Sequence, residues 1–260
     1  MPSAADDARV PTSSDARYDG LSARELAQRA GVPRAIPFDT VSSTLDVAHA
    51  LAAEGAEAGT LIVADAQAAG RGRQGRSWQS ESGAGVWLTM LERPAGIGAL
   101  DVLSLRIGIE VAPALDQFAA SSVRLKWPND LYVGGRKLAG ILVEARWRQS
   151  QPEWVAIGVG INVRAPAGET RATGLRAGVS RIDVLAAVVP AIRRAAQARG
   201  PLTASELEAF ASRDVAVGRE CIEPVAGRVR GIDGSGALLV DVGSTVTAVR
   251  SGSLVLKEER

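Results

Sequence analysis

From about residue 215 onward the chain changes character, and that change constrains the fold more than any other feature. Between Arg219 and Lys257 five short β-rich runs (ECIEPV, GRVRGI, ALLVDV, TVTAVR and SLVLK) alternate with glycine-containing turns. That spacing predicts a small five-strand barrel. Before it, helical and extended stretches mix. Capping boxes at Ser22-Ala-Arg-Glu25 and Thr203-Ala-Ser-Glu206 open two helices, the first closed by Gly31 and Pro33. Ser42-Ser43-Thr44 offers caps for a helix over Leu45–Glu54. Helical periodicity marks Leu100–Phe118, with Pro113 as a kink or stop, and a further helix is read over Ser180–Arg199. Runs at 35–41, 60–66, 86–92, 123–127, 138–144 and 154–163 read as strands. The expected organisation is an α+β domain over 21–214, then a compact β module over 215–260. Residues 1–20, poor in large apolar side chains, read as a disordered leader.

Composition narrows the function classes. A chain of 260 residues can bury a proper core. With 30 basic and 29 acidic side chains, it is not built mainly to neutralise nucleic-acid phosphates. A single cysteine, Cys221, makes no internal disulfide and fits a reducing compartment. The N-terminus lacks an apolar signal core, and the uncharged stretch 154–163 is far short of the roughly 20 residues of a membrane span. A soluble, cytoplasmic protein with no membrane partner is expected. One histidine and one cysteine exclude a structural zinc site. His49 lies mid-helix with no serine or cysteine near it in sequence, which makes a Ser-His-Asp mechanism unattractive.

Three segments carry chemistry. In Gly70-Arg-Gly-Arg-Gln-Gly-Arg76 the glycines let backbone amides approach a ligand, and Arg71, Arg73 and Arg76 supply planar cations suited to carboxylate and phosphate. The segment lacks the Gly-Lys-Ser/Thr ending of a P-loop. In Lys126-Trp-Pro-Asn-Asp130, Pro128 denies a helix, and Asn129 and Asp130 are turn formers. A plain β-turn accounts for that pattern. Against it stands the crowding of an indole, an amide, a carboxylate and an ammonium where two apolar strands meet. Only three lysines exist (126, 137 and 257), so a compact ammonium is used sparingly. Gly140, inside a strand, suggests a ligand or chain approaching closely. All five tryptophans, among them Trp78 and Trp87, fall between 78 and 154, compatible with an apolar slot. The third segment, Gly158-Val-Gly160-Ile-Asn162, is weak by itself.

Together, Ser43-Thr44, Gln67 followed by GRGRQGRSW, KWPNDLYVGGRKLAGILVE and GVGIN occur in an order and spacing that resembles bacterial biotin protein ligases. The resemblance runs from about residue 36 to the C-terminus. It implies a mixed β-sheet backed by helices, related to class II aminoacyl-tRNA synthetases, with an SH3-like C-terminal barrel. It also implies a two-step reaction. Biotin and Mg-ATP give biotinyl-5′-AMP and pyrophosphate, and biotin then passes to one lysine of a biotin carboxyl carrier domain. Arg73 and Lys137 would be the catalytic pair at the biotin carboxylate and α-phosphate. Biotin would lie among Ser43, Thr44, Gln67, Gly70, Arg71, Gly72, Arg73, Trp78, Trp87, Lys137 and Gly140. The nucleotide would meet Arg73, Arg76, Lys126, Trp127, Asn129 and Asn162, and Asp130 would help hold Mg²⁺.

There are departures from the family pattern. Its Ser-Thr-Asn reads Ser43-Thr44-Leu45, so any contact at 45 is backbone or absent. Residues 163–209 contain no aromatic side chain, so arginines or aliphatic groups of 164–181 are expected to cover adenine. Some relatives carry an N-terminal helix-turn-helix. Here Glu25–Val32 resembles one such helix, yet the first strand arrives near residue 36, too soon for a winged motif of roughly 60 residues. A lone helix and no DNA partner are expected, and a homodimer paired through the sheet edge is left open. The rivals are a lipoate-type ligase on the same fold and a non-catalytic biotin-binding regulator. An octanoyl transferase would want a cysteine nucleophile, and Cys221 lies in the terminal module.

Overall fold

The computed structural model describes residues 16–93 and 97–259. Seven strands, β1 (Arg34–Val41), β2 (Thr60–Gln67), β3 (Gly85–Glu92), β4 (Arg124–Lys126), β5 (Asp130–Val133), β6 (Arg136–Arg148) and β7 (Gln151–Asn162), form one mixed sheet. Its order is β1-β2-β3-β7-β6-β5-β4. Only β1 and β2 run parallel, joined through α2 (Thr44–Ala53); the other neighbours are antiparallel. Connection length decides this. Short turns link β4 to β7 in series, whereas a parallel pair needs a crossover of a dozen or more residues. β5 falls within the stretch read as a polar turn; its four residues are too few to stand out between Asn129-Asp130 and Gly134-Gly135.

Period-two alternation sorts the core into two layers. Leu61 and Val63 face α1 (Ala23–Ala30), α3 (Leu103–Asp116) and α4 (Arg181–Gln197), while Ile62 and Ala64 face α2. α2 covers only part of that second face, and the rest carries the cleft described below. Pro113 does not stop α3, which runs on to Asp116. Leu105, Ile107, Val111 and Leu115 are all buried on it. At about 1.5–3 kcal/mol each, they outweigh the ~3 kcal/mol cost of an internal proline.

Of the expected leader, residues 1–15 lie outside the described residues. Its end is ordered: Tyr18 is 1% exposed, and its ring lies 4.5 Å from the Arg181 guanidinium, which also pairs with Asp19 and Asp65. Residues 22–31 form a single capped helix, α1, before β1.

After α5 (Ala204–Arg213) come β8 (Glu220–Glu223), β9 (Gly227–Ile232), β10 (Leu238–Val242), β11 (Thr245–Val249) and β12 (Val255–Leu256). They make an antiparallel sheet in the order β11-β10-β9-β8-β12. β11 and β12 stay unpaired with each other, so among the described residues the expected barrel is an open sheet. The reason is local: β12 is two residues long, and β11 has no fully buried residue that closure would cover. The core is continuous across residue 214. Cys221, Val229, Leu238 and Leu256 join the cluster that includes α3. The Cys221 thiol is buried, its pKa raised by desolvation, and it donates to the Val225 and Gly227 carbonyls.

Candidate active site

Register lays one row of residues across the open face. Ala64, Trp87, Gly160, Gly140 and Asp130 are successive partners on β2, β3, β7, β6 and β5. Partners in a row point to the same side, so the two glycines leave a trough between an indole and a carboxylate. The Trp78 indole lies in it. A Cβ on Gly160 would stand 2.6 Å from Trp78 Nε1, and one on Gly140 would stand 3.1 Å from its ring. Trp87 buttresses Trp78 edge-on, with centroids 6.4 Å apart and planes at 72°. One row on, Gly158 admits Leu45, whose Cδ1 would be 3.1 Å from a Cβ there. Leu45 is therefore a packing residue, and its N–H is capped by Ser43 Oγ at 3.3 Å. The cleft over this floor has a volume of about 820 Å³, ample for a small organic ligand.

The arginine loop folds down as a hairpin. Gly70 O accepts from Trp78 N at 2.8 Å, Gly72 N donates to Arg76 O at 2.7 Å, and Arg71 bridges Ser77 at the neck. A Cβ on Gly70 would overlap the Trp78 carbonyl oxygen, so only glycine fits there. At the tip Gln74 (φ 57) and Gly75 (φ 73) turn the chain. Arg73 then reaches inward, Nη1 3.4 Å from Asn129 Oδ1. Burial lowers its pKa while Asp130 raises it, and a guanidinium stays charged in either case. Lys137 Nζ lies 2.7 Å from Asp130 Oδ1 and 5.2 Å from the Trp78 ring centroid. Two cations thus flank Asn129 and Asp130, where the β4–β5 turn runs into β5, and Asn129 pins the turn to β6 through Ile141 O at 2.7 Å.

A polar cluster supplies another wall. Gln67 Oε1 accepts from Thr44 N at 2.9 Å and Thr44 Oγ1 at 3.2 Å, and Gln67 Nε2 donates to Ser80 Oγ at 2.8 Å. Thr89 Oγ1 donates to Thr44 Oγ1 at 2.8 Å. Neither Ser80 nor Thr89 figures among the sequence candidates, although a threonine inside the apolar run VWLTMLE was a usable signal.

The structure brings Ser43, Thr44, Gln67, Arg71, Gly72, Arg73, Arg76, Trp78, Trp87, Lys126, Trp127, Asn129, Asp130, Lys137, Gly140 and Asn162 to one cleft, and of the sequence candidates Gly70 alone is off its lining. Four of these side chains also hold partners of their own. Arg71 pairs with Asp46 at 2.9 Å and Glu144 at 3.1 Å. Arg76 donates to Ser253 Oγ of the terminal module at 3.0 Å. Lys126 is 7% exposed and clasped by Glu259 at 2.6 Å. Trp127 belongs to the core and donates from Nε1 to Gly236 O at 2.9 Å. Of the arginines expected to cover a base, Arg164 turns to Ser82 O, Arg176 to Gln117 O and Arg181 to Asp19 and Asp65. Arg171 alone among them lines the cleft, beside Pro166 and Thr170. Its carbonyl accepts from Lys137 N at 2.9 Å, which fastens that loop to β6. Among the described residues no group of three or more His, Cys, Asp or Glu side chains is arranged to hold a metal ion. None of their helices is long and apolar enough to cross a membrane.

A glycine-floored trough on a mixed sheet, roofed by a cationic hairpin, defines a class of protein. The family model that matches, over residues 37–162, is the Biotin/lipoate A/B protein ligase family. Over 79% of its length the chain is 34% identical to the biotin--[acetyl-CoA-carboxylase] ligase of Mycobacterium tuberculosis, covering 82% of that protein. This chain belongs to the biotin protein ligase family. It is also 41% identical to the bifunctional ligase/repressor BirA of Bacillus subtilis, over 49% of this chain and only 40% of that one. Among solved structures, the biotin protein ligase from Aquifex aeolicus in complex with biotin and ATP superposes with a TM-score of 0.71. That match has 26% identity and covers 86% of this chain and 98% of the other.

Proposed function

We propose that the chain is an ATP-dependent biotin protein ligase. It would join biotin to AMP and then pass biotin to a lysine of a biotin carboxyl carrier domain. The observation that carries this reading is the convergence of Arg73 and Lys137 beside a trough floored by Gly140 and Gly160. Adenylation drives a carboxylate onto the α-phosphate of a polyanion, so its demands are neutralisation and alignment rather than a side-chain nucleophile. Arg73 and Lys137 meet that demand at one end of the trough. A biotin ring would take the place of the Trp78 indole over the glycines, walled by Trp87, with Thr44 and Gln67 meeting its polar edge. Folding of the arginine hairpin over the product would exclude water from a hydrolysable anhydride.

Magnesium would arrive on the triphosphate, supplying charge neutralisation there. Asp130 fits as a single carboxylate toward it, since Mg²⁺ is usually held by one or two carboxylates plus phosphates and water. Asn162 and Arg171 line the same cleft and would meet the nucleotide. We read residues 21–214 as the catalytic domain and 215–260 as a module of the SH3-like type, in a cytoplasmic protein. We expect no operator binding, and a sequence-specific gel shift surviving moderate salt would contradict this.

Incubation with biotin, Mg-ATP and a carrier domain should give carrier heavier by one biotinyl group, read by intact mass. Lys137→Ala should lose on the order of 10²–10³ in transfer rate with the fold intact, as expected for one oriented donor. Unchanged turnover would sink the assignment. ATP–pyrophosphate exchange that responds to lipoate and not biotin would favour the lipoate-type alternative.

A further inference from the structure

The only histidine is left over by the mechanism, and it is far from idle. His49 on α2 accepts from Trp154 Nε1 at its Nδ1, 3.0 Å away. An indole N–H can only donate, so Nδ1 is unprotonated and the imidazole proton sits on Nε2. Nε2 then donates to Glu144 Oε2 at 2.9 Å. The two oxygens of Glu144 face the two terminal nitrogens of Arg71, each at 3.1 Å, and Asp46 Oδ1 adds a third contact at 2.9 Å. Trp154 and Glu144 stand on neighbouring sheet strands, and His49 and Asp46 stand one turn apart on α2. Rigid elements therefore grip one side chain of the hairpin, at the residue that forms its neck and two residues from Arg73.

We propose that His49 is a positioning residue: by orienting Glu144 it latches Arg71, and so holds the arginine hairpin closed over the cleft. The latch itself is independent of what the cleft binds. Its consequence for catalysis rests on the ligase reading, because a loosened hairpin would let adenylate escape or hydrolyse before transfer.

The hairpin reports its own state, since three arginines make it a trypsin substrate. Limited trypsinolysis of the ligand-free full chain measures cleavage after Arg71 against cleavage after the exposed Arg250 as internal reference. Loss of one charge-assisted hydrogen bond should raise that ratio about tenfold in His49→Leu and Glu144→Gln. His49→Gln, whose amide N–H can still reach Glu144, should restore it toward the parent value. In the activity arm, AMP formed in excess of biotinylated carrier should rise in the same variants and fall in the same rescue. Equal cleavage ratios in parent and His49→Leu, at matched thermal midpoints, would overturn the latch. Should His49→Leu fail to fold, an unchanged ratio in the half-exposed Glu144→Gln overturns it equally. If the ligase reading fails, the trypsin arm still decides the latch.

Discussion

Replacing Gly160 by alanine would set a methyl group 2.6 Å from Trp78 Nε1, closer than real side chains pack. The indole would have to leave the trough. Gly160→Ala is expected to make Trp78 more accessible to acrylamide quenching and to weaken ligand binding by at least about tenfold, while the sheet beneath stays folded. A parent-like quenching curve and affinity would show that the indole has another seat. A second residue-level case is Asp214, 3% exposed, whose carboxyl is pushed up to about 6 by desolvation from an ordinary 3.8. A raised acid pKa means the folded state holds the proton more tightly than the unfolded one. Its effect is therefore a loss of stability as pH climbs from about 4 to 6, level above that. Two units correspond to ~3 kcal/mol at most. Asp214→Asn keeps the acceptor for Ala216 N, so its stability advantage over the parent should grow between pH 4 and 7. A difference that stays flat with pH would refute the burial argument.

The helix α2 and the arginine hairpin share the labour of presenting groups to the cleft. Ser43 is 1% exposed and its hydroxyl caps α2 through Leu45 N. On that geometry Ser43→Ala should cost about 1 kcal/mol in denaturant unfolding with little change in KM for biotin. A raised KM at parent-like stability would restore the hydroxyl to the ligand, as the family resemblance implies. The element boundaries were legible where punctuation is strong. The capping boxes at Ser22 and Thr203 and the αL glycine at Gly31 mark real helix ends. They failed at Pro113, where burial of neighbours outweighed the local signal, and at β5, whose four residues are too few to stand out. The same limit applies to the site. Which way Arg71 or Lys126 turns depends on carboxylates 73 and 133 positions away, and no local pattern carries that.

Across the whole molecule, the terminal module is tied to the sheet by Trp127 Nε1 to Gly236 O, Lys126 to Glu259 and Arg124 to the Asp214 carbonyl. Gly236 itself packs against Leu105 and Val102 of the α3 region, since a Cβ there would stand 2.9 Å from Leu105. Trp127→Phe keeps an aromatic ring, though a smaller one, and leaves the Gly236 carbonyl without its donor. A loss of about 1–3 kcal/mol is expected, still in one cooperative transition. Two separate transitions would mean that the module folds on its own. Residue order alone determined an α+β domain followed by a β module and a glycine-rich cationic loop, because these rest on period, turn chemistry and residue type. The mixed sheet and the part played by Lys137 came with the family resemblance. Only the tertiary structure decided which partners the cations hold, that the terminal sheet stays open among the described residues, and that His49 bonds Glu144 and Trp154. Those outcomes depend on which distant carboxylates, carbonyls and edges the fold brings within hydrogen-bond reach.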